Sequence, residues 1–241
     1  MLYRDTAIVL RTYKLGEADR IVVLFTRGRG KVRAVAKGVR KTRSKFGARM
    51  EPTSHVNLQL HAGRDLHTVT QAETVETFPN IRSDLDRLGR AAAILEVVDQ
   101  VATEAEEHGE EHESLYQLLL GGLRAIENRP SPLVAPAFFL KLLASEGVGF
   151  SVDGCIECGR DDEMVSLDLE GGGLRCSLHR EGTAITPGAV GLLRGILGGQ
   201  LAWALDQPTS PATWEVDHLA QVAIENHIAR RLRALRLISA E

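Results

Sequence analysis

The first 75 residues alternate apolar and polar positions with the two-residue period of β-strands, broken by glycine-containing turns. Residues 6–13 and 20–26 are runs of β-branched and apolar residues, and Gly28-Arg29-Gly30 then predicts a tight turn. Residues 31–36 place Val32, Ala34 and Ala36 on one face and turn Lys31 and Arg33, with neighbouring Lys37, toward solvent. Two more strands fit residues 54–60 and 65–71, joined by Ala62-Gly63-Arg64. Five strands in so short a span predict a small closed barrel of OB-like type.

At Phe78-Pro79 the period changes to that of helices. Ser83 is a predicted N-cap for a helix reaching about residue 106, with Leu85, Leu88, Ala92, Leu95 and Val98 on one stripe. Residues 104–113 hold six Glu in ten positions together with Gly109, a predicted solvated connector. Further helices are predicted from Ser114, from Leu133 to Glu146 ending at Gly147, from about Pro187, and from Asp217 to about Leu237. The expected architecture is α+β and multidomain. A barrel domain spans 1–79, a helical bundle spans 80–149 and 183–241, and a small module at 150–182 interrupts the bundle.

Charge sharpens this picture. The chain has 241 residues and a net charge of −3, yet residues 1–49 contain 14 Lys or Arg and three Asp or Glu, so the rest nets −14. The basic residues concentrate at Arg27, Arg29, Lys31, Arg33, Lys37, Arg40, Lys41, Arg43, Lys45 and Arg49, with no acidic residue among them. A merely solvated face mixes signs, whereas clustered cations displace counterions from nucleic-acid phosphates, so these ten are candidate DNA-binding residues. RNA, anionic lipid and an acidic protein remain alternatives; lipid is disfavoured because Phe46 is the main large apolar side chain in the segment. Aromatics are sparse, at 5%, which argues for backbone contacts over base stacking. Arg230, Arg231, Arg233 and Arg236 form a second cluster, read either as cations complementing a helix C-terminus or as a second DNA contact.

All three cysteines fall in residues 150–182, as Cys155-Ile-Glu-Cys158 and Cys176-Ser-Leu-His179. This C-x2-C-x17-C-x2-H spacing, with a hairpin predicted between the pairs and Gly159 behind the first, is that of a structural zinc ribbon. Cys155, Cys158, Cys176 and His179 are the candidate ligands of one Zn²⁺; four protein donors leave no position for catalytic water. Paired spacing on both sides outweighs the alternative of scattered buried thiols. No phosphate loop, nucleophile elbow or paired acid and base is visible, so an enzyme is not expected. The histidines read as dispersed surface residues, and Trp203 and Trp214 as core. No run long enough to span a membrane, no signal peptide and few cysteines predict a cytoplasmic protein.

An ordered set of segments resembles the RecO recombination mediators of bacteria. It comprises Ala7-Ile-Val-Leu10, Tyr13, Gly16-Glu17-Ala18-Asp19, the turn from Thr26 to Gly30, Ala36-Lys37-Gly38-Val39-Arg40, Ser44-Lys45-Phe46 and Glu51-Pro52. Residues 140–149 leading into Cys155-Ile-Glu-Cys158-Gly159, and Asn226-His-Ile-Ala-Arg-Arg-Leu232, extend it to nearly the whole chain. The resemblance implies an OB fold, a helical domain and a zinc module. It also implies binding of single- and double-stranded DNA, annealing of complementary strands, and help in loading recombinase onto protein-coated strands. RecR and the acidic C-terminal tail of single-strand-binding protein are the implied partners, and association with the nucleoid follows from DNA binding. Many members use four cysteines, and some lack the site; His179 takes the fourth place here. Outside the resemblance, the residues also fit a scaffold binding an acidic protein and, less well, a phosphodiester-cleaving enzyme.

Overall fold

In the computed structural model, residues 1–103 and 110–234 are described. They form two compact units, Met1–Asn128 with the segment from Leu232, and Arg129–Arg231.

The first unit is built on a closed five-stranded barrel. Its strands are β1 (Leu2–Leu15), β2 (Asp19–Thr26), β3 (Gly30–Ala36), β4 (His55–His61) and β5 (His67–Glu76), in the order β1-β2-β3-β5-β4. β1 outruns its predicted limits because it serves two partners: residues 2–8 pair with β4 and residues 7–15 with β2. A register shift between Val9 and Arg11 bends the strand from one partner to the other. Closure comes from β3 and β5, which pair in parallel through Ala34–His67 and Val35–Thr68. The alternation expected of β3 is present, with Val32, Ala34 and Ala36 buried inside and Arg33 exposed. Phe46 and Met50, from the connector between β3 and β4, are buried in the same core. The most basic stretch of chain is thus pinned at its far end by two apolar plugs, and Phe46 offers no surface for lipid.

Three helices follow: α1 (Pro79–Ser83), α2 (Leu85–Val101) and α3 (Glu110–Asn128). Ser83 is the last residue of α1 rather than the cap of α2. Asp84, in extended conformation, caps α2 by accepting from the Arg87 N–H at 2.9 Å. Leu85 and Leu88 are exposed, and the buried stripe of α2 is carried by Ala91, Ile94, Leu95 and Val98. The first turn of α2 overhangs solvent, so Leu85 and Leu88 leave the predicted stripe while its Leu95 and Val98 are buried as expected. α3 starts at Glu110, earlier than expected. The remainder of the predicted Glu-rich connector, 104–109, lies outside the described residues.

The second unit contains α4 (Val134–Ser145), whose residues from Val134 to Leu143 are buried apart from Lys141, and a three-stranded sheet. That sheet, ordered β7-β6-β8, comprises β6 (Met164–Asp168), β7 (Gly173–Cys176) and β8 (Thr183–Ala184). α5 (Pro187–Leu197), α6 (Leu201–Leu205) and α7 (Pro211–His227) complete the unit, with α7 packed on α4 and α5. α7 begins six residues before the predicted start, because Ser210 and Thr213 form a reciprocal capping box ahead of Pro211. It ends at His227, short of the predicted limit, as Ala229 turns left-handed at φ 50°; residues 235–241 lie outside the described set. Trp203 and Trp214 are 48% and 64% exposed, contrary to the core placement expected of them. No described helix is long and apolar enough to cross a membrane.

β4 and α3 are joined by a buried polar contact. His55, expected on the surface, is buried; its Nε2 lies 2.9 Å from the Tyr116 hydroxyl, and its Nδ1 lies 3.5 Å from Glu76. Burial holds the imidazole below its ordinary range, and the facing Glu76, itself paired with Arg124, offsets this only in part. The unfolded chain therefore takes up this proton first. The stability from neutral His55 is complete above the unfolded value of about 6.5 and is lost as pH falls through it. We expect His55→Gln, which can still meet Tyr116, to flatten the fall in melting temperature between pH 7 and pH 5; a slope equal to wild type would disprove the assignment.

Candidate nucleic-acid interface and metal site

The ten cations of the basic segment fall into three groups. Arg27 and Lys31 are engaged by acids from the helices. Arg27 makes a bidentate pair with Glu113 of α3, with contacts of 2.7 and 2.8 Å. Lys31 donates to the Asp99 carbonyl at 2.8 Å and lies 3.9 Å from its carboxylate, which also takes Arg11 at 2.8 Å. Glu113 raises the already high pKa of Arg27 through this hydrogen bond, so the cation is permanent.

Arg29, Arg40, Lys45 and Arg49 keep their charge but are positioned. Arg29 stacks over the Tyr3 ring at 4.5 Å. Arg40 Nη1 donates to the Glu17 carbonyl at 2.9 Å, and the Arg40 N–H bonds to Ala18 at 2.9 Å. With Gly38 N–H on the Asp19 carboxylate, at 2.6 Å, these bonds hold the basic connector against the β1–β2 turn. Gly38 adopts φ 67°, which a side chain would strain. Lys45 donates to the Thr70 carbonyl at 2.9 Å, and Arg49 reaches the Phe46 carbonyl at 3.3 Å.

Arg33, Lys37, Lys41 and Arg43 form the third group. All four are exposed, and none of their side chains has an ion pair or hydrogen bond among the described residues. Three of them lie on the connector between Ala36 and Phe46, and the fourth on the outer face of β3. Elsewhere, Arg231 lies 3.7 Å from Glu225, and the backbone N–H of Arg233 bonds Glu96 at 2.9 Å. Arg230 and Arg231 follow the end of α7 instead of forming its last turn, and Arg236 lies outside the described residues.

The cysteines converge as their spacing implied. The donor atoms of Cys155, Cys158, Cys176 and His179 all lie within 4.8 Å of one another, a group that can hold a metal ion. Cys158 and Cys176 Sγ are 3.8 Å apart, and His179 Nδ1 lies 3.4 Å from Cys176 and 3.9 Å from Cys155. A tetrahedral shell with metal–sulfur bonds of about 2.3 Å has edges of about 3.8 Å, so these three separations are close to those of a metal shell. The first knuckle is closed by the Cys155 N–H to Arg160 at 2.7 Å and the Gly159 N–H to Cys155 at 2.8 Å, with Gly159 at φ 74°. Burial raises the Cys155 thiol, but backbone N–H groups of Cys176, Cys158 and Glu157 outweigh it and bring the pKa down to about 6. Cys176 raises the pKa of the His179 imidazole. These residues would hold a cation as thiolates and a neutral imidazole, so binding would release that proton.

Three side chains outside the donor set hold this framework, and spacing gave no sign of them. Asp168 Oδ1 accepts the N–H groups of Gly171 and Glu170, at 2.8 and 3.1 Å, closing the β6–β7 turn. Its Oδ2 pairs with Arg175 at 2.9 Å, and Arg175 reaches on to Glu157 and Glu181, each at 3.3 Å. Arg194 of α5 donates to the carbonyls of Val152, Asp153 and Asp161 at 2.8, 3.1 and 3.0 Å, tying the knuckle to its helix. Long-range pairs of this kind leave no periodic trace.

Two family models match the chain: Recombination protein O N terminal over residues 1–78, and Recombination protein O C terminal over residues 82–236. The chain is similar to the DNA repair protein RecO of Frankia casuarinae, 42% identical over 239 residues and 97% of each chain. It is similar also to the DNA repair protein RecO of a Nocardioides species, 41% identical over 254 residues and 99% of each.

Replacing Asp168 with Ala leaves two backbone donors and the Arg175 guanidinium without their carboxylate. The Gly171 N–H and then Arg175 hold that carboxylate below its ordinary range, so the charged form is the stabilising one. We expect Asp168→Ala to lower the melting temperature and weaken metal retention together; retention unchanged in a destabilised variant would separate the turn from the site.

Proposed function

The chain belongs to the Recombination protein O family of DNA repair proteins, and from that premise we propose that it binds single- and double-stranded DNA, anneals complementary strands and assists recombinase loading on protein-coated single strands. The observation that carries this reading is the set of unpartnered, exposed cations at Arg33, Lys37, Lys41 and Arg43. Charges that the fold does not use remain available to an external polyanion. Arg29, Arg40, Lys45 and Arg49 flank them and keep their charge, whereas Arg27 and Lys31 must first leave Glu113 and Asp99 to contact phosphate. The barrel acts by neutralising repulsion between two strands. Bases stay free to pair, because the four cations engage the backbone and carry no aromatic surface. No bond in either strand is made or broken.

The Cys155, Cys158, Cys176 and His179 group is proposed to hold one structural Zn²⁺, which would fix the fold of residues 150–182. Three thiolates and an imidazole suit this ion, and a filled tetrahedral shell excludes substrate. RecR, the acidic tail of single-strand-binding protein and, through them, the recombinase are the proposed partners in the cytoplasm.

Two outcomes test these proposals. Each lost phosphate contact removes about 0.7 from the slope of log affinity against log salt on single strands, so replacing Lys37, Lys41 and Arg43 together with Ala should remove about two units. The same variant should anneal complementary oligonucleotides more slowly than wild type; equal slopes and rates would move the interface elsewhere. Metal analysis of protein purified without added zinc should find about one Zn per chain, and Cys158→Ser should lower that content. Folded protein free of zinc would refute the site.

A further inference from the structure

We propose that the cavity lined by Arg49 and Arg82 is a second phosphodiester subsite, which extends the DNA path from the basic connector onto α1. It rests on the DNA-binding reading above. The cavity, of about 280 Å³, lies within the first unit and is lined by Ala48, Arg49, Ser54, Thr74, Thr77 and Arg82, together with Val56 and Glu76. The β3–β4 connector, which carries three of the four unpartnered cations, also supplies Arg49 and Ser54, so one continuous stretch of chain leads from those cations to the cavity.

The charge balance at this place favours an anion. Glu76 is the one carboxylate in the lining, and Arg124 takes both its oxygens, with contacts of 2.8, 3.0 and 3.1 Å. That pair leaves Arg49 and Arg82 as the uncompensated charges. Buried Ser54 is a positioning residue: its hydroxyl donates to the Ala48 carbonyl at 3.1 Å and accepts from Arg82 Nη2 at 3.0 Å. One bond thereby aims Arg82 and leaves the other guanidinium donors for a ligand. Arg49 is held through Nη1 alone, by the Lys45 and Phe46 carbonyls at 3.4 and 3.3 Å, so its Nε and Nη2 donors remain. Two guanidinium groups and the exposed Thr74 and Thr77 hydroxyls line this one cavity, and all are donors that phosphate oxygens accept, arginine with paired donors. There is no aromatic side chain in the lining to stack a base, so the subsite holds backbone without reading sequence.

The test is titration of oligo(dT) into the full-length wild-type, Arg82→Gln and Arg82→Lys proteins at several salt concentrations, with thermal melts to check folding. We expect Arg82→Gln to lower the salt slope by about 0.7 and Arg82→Lys to retain the slope while weakening affinity, since lysine keeps the charge but loses the fork. An Arg82→Gln slope equal to wild type, alongside a reduced slope for the Lys37, Lys41 and Arg43 variant, would overturn the subsite and leave the DNA reading standing. Failure of wild type to bind oligo(dT) would instead overturn the DNA reading itself. Inorganic phosphate, followed through the arginine side-chain resonances, separates a backbone site from one for the free anion. Saturation of Arg82 by phosphate, with no effect of Arg82→Gln on DNA binding, would assign the cavity to free phosphate and sink the proposal.

Discussion

A carboxylate with 4% of its surface exposed, Asp99, stands where the barrel meets its first helices. It faces Arg11 of β1 and Lys31 of β3, and its own backbone carbonyl takes the Lys31 ammonium. Without it, Arg11 and Lys31, on two strands of the barrel, would face helix α2 uncompensated. Removing one partner of such a cluster leaves a poorly solvated charge, which costs far more than the pair gains on forming. Glu113 repeats the arrangement for Arg27 one helix further on. Acids from α2 and α3 thus neutralise one side of a strongly basic barrel and allow helices to pack there.

The remaining cations are left unneutralised, and the protein holds their connector in shape by means that do not consume its charge. Backbone carbonyls at Glu17 and Thr70, the Asp19 carboxylate on a backbone amide, and the buried plugs Phe46 and Met50 fix the connector while its lysines and arginines face solvent. A loop constrained in this way presents cations with less conformational entropy to lose on binding than a free tail would. The sparse aromatics of the sequence point the same way, toward a surface that grips backbone and leaves bases available.

In the second unit the Cys and His donors are the visible part of a larger polar framework. Asp168, Arg175 and Arg194 connect the hairpin turn, the first knuckle and α5 through charge-assisted bonds. Such outer partners set the direction in which first ligands point, so donor positions at shell distances are a property of this framework as much as of the spacing.

Much of this protein is legible in one dimension. The two-residue period predicted five strands, because a half-buried strand must alternate; C-x2-C and C-x2-H predicted a clustered donor set, because short knuckles leave few geometries. The local charge excess marked the basic segment, and the ordered motifs marked the family. Helix ends were less legible: Asp84 displaced Ser83 as a cap, Ser210 started α7 early, and Leu85 and Leu88 in the first turn of α2 are exposed where burial was expected, since capping and burial compete locally and packing decides. Only the tertiary structure could divide the ten cations into those bound by Asp99 and Glu113, those positioned by carbonyls or the Tyr3 ring and those left free. The same holds for the burial of His55 against Tyr116 and the placing of Arg49 and Arg82 on one cavity. Ion pairs between residues 60 to 90 positions apart carry no period or spacing, so the sequence determined which charges exist and the fold determined which remain to act.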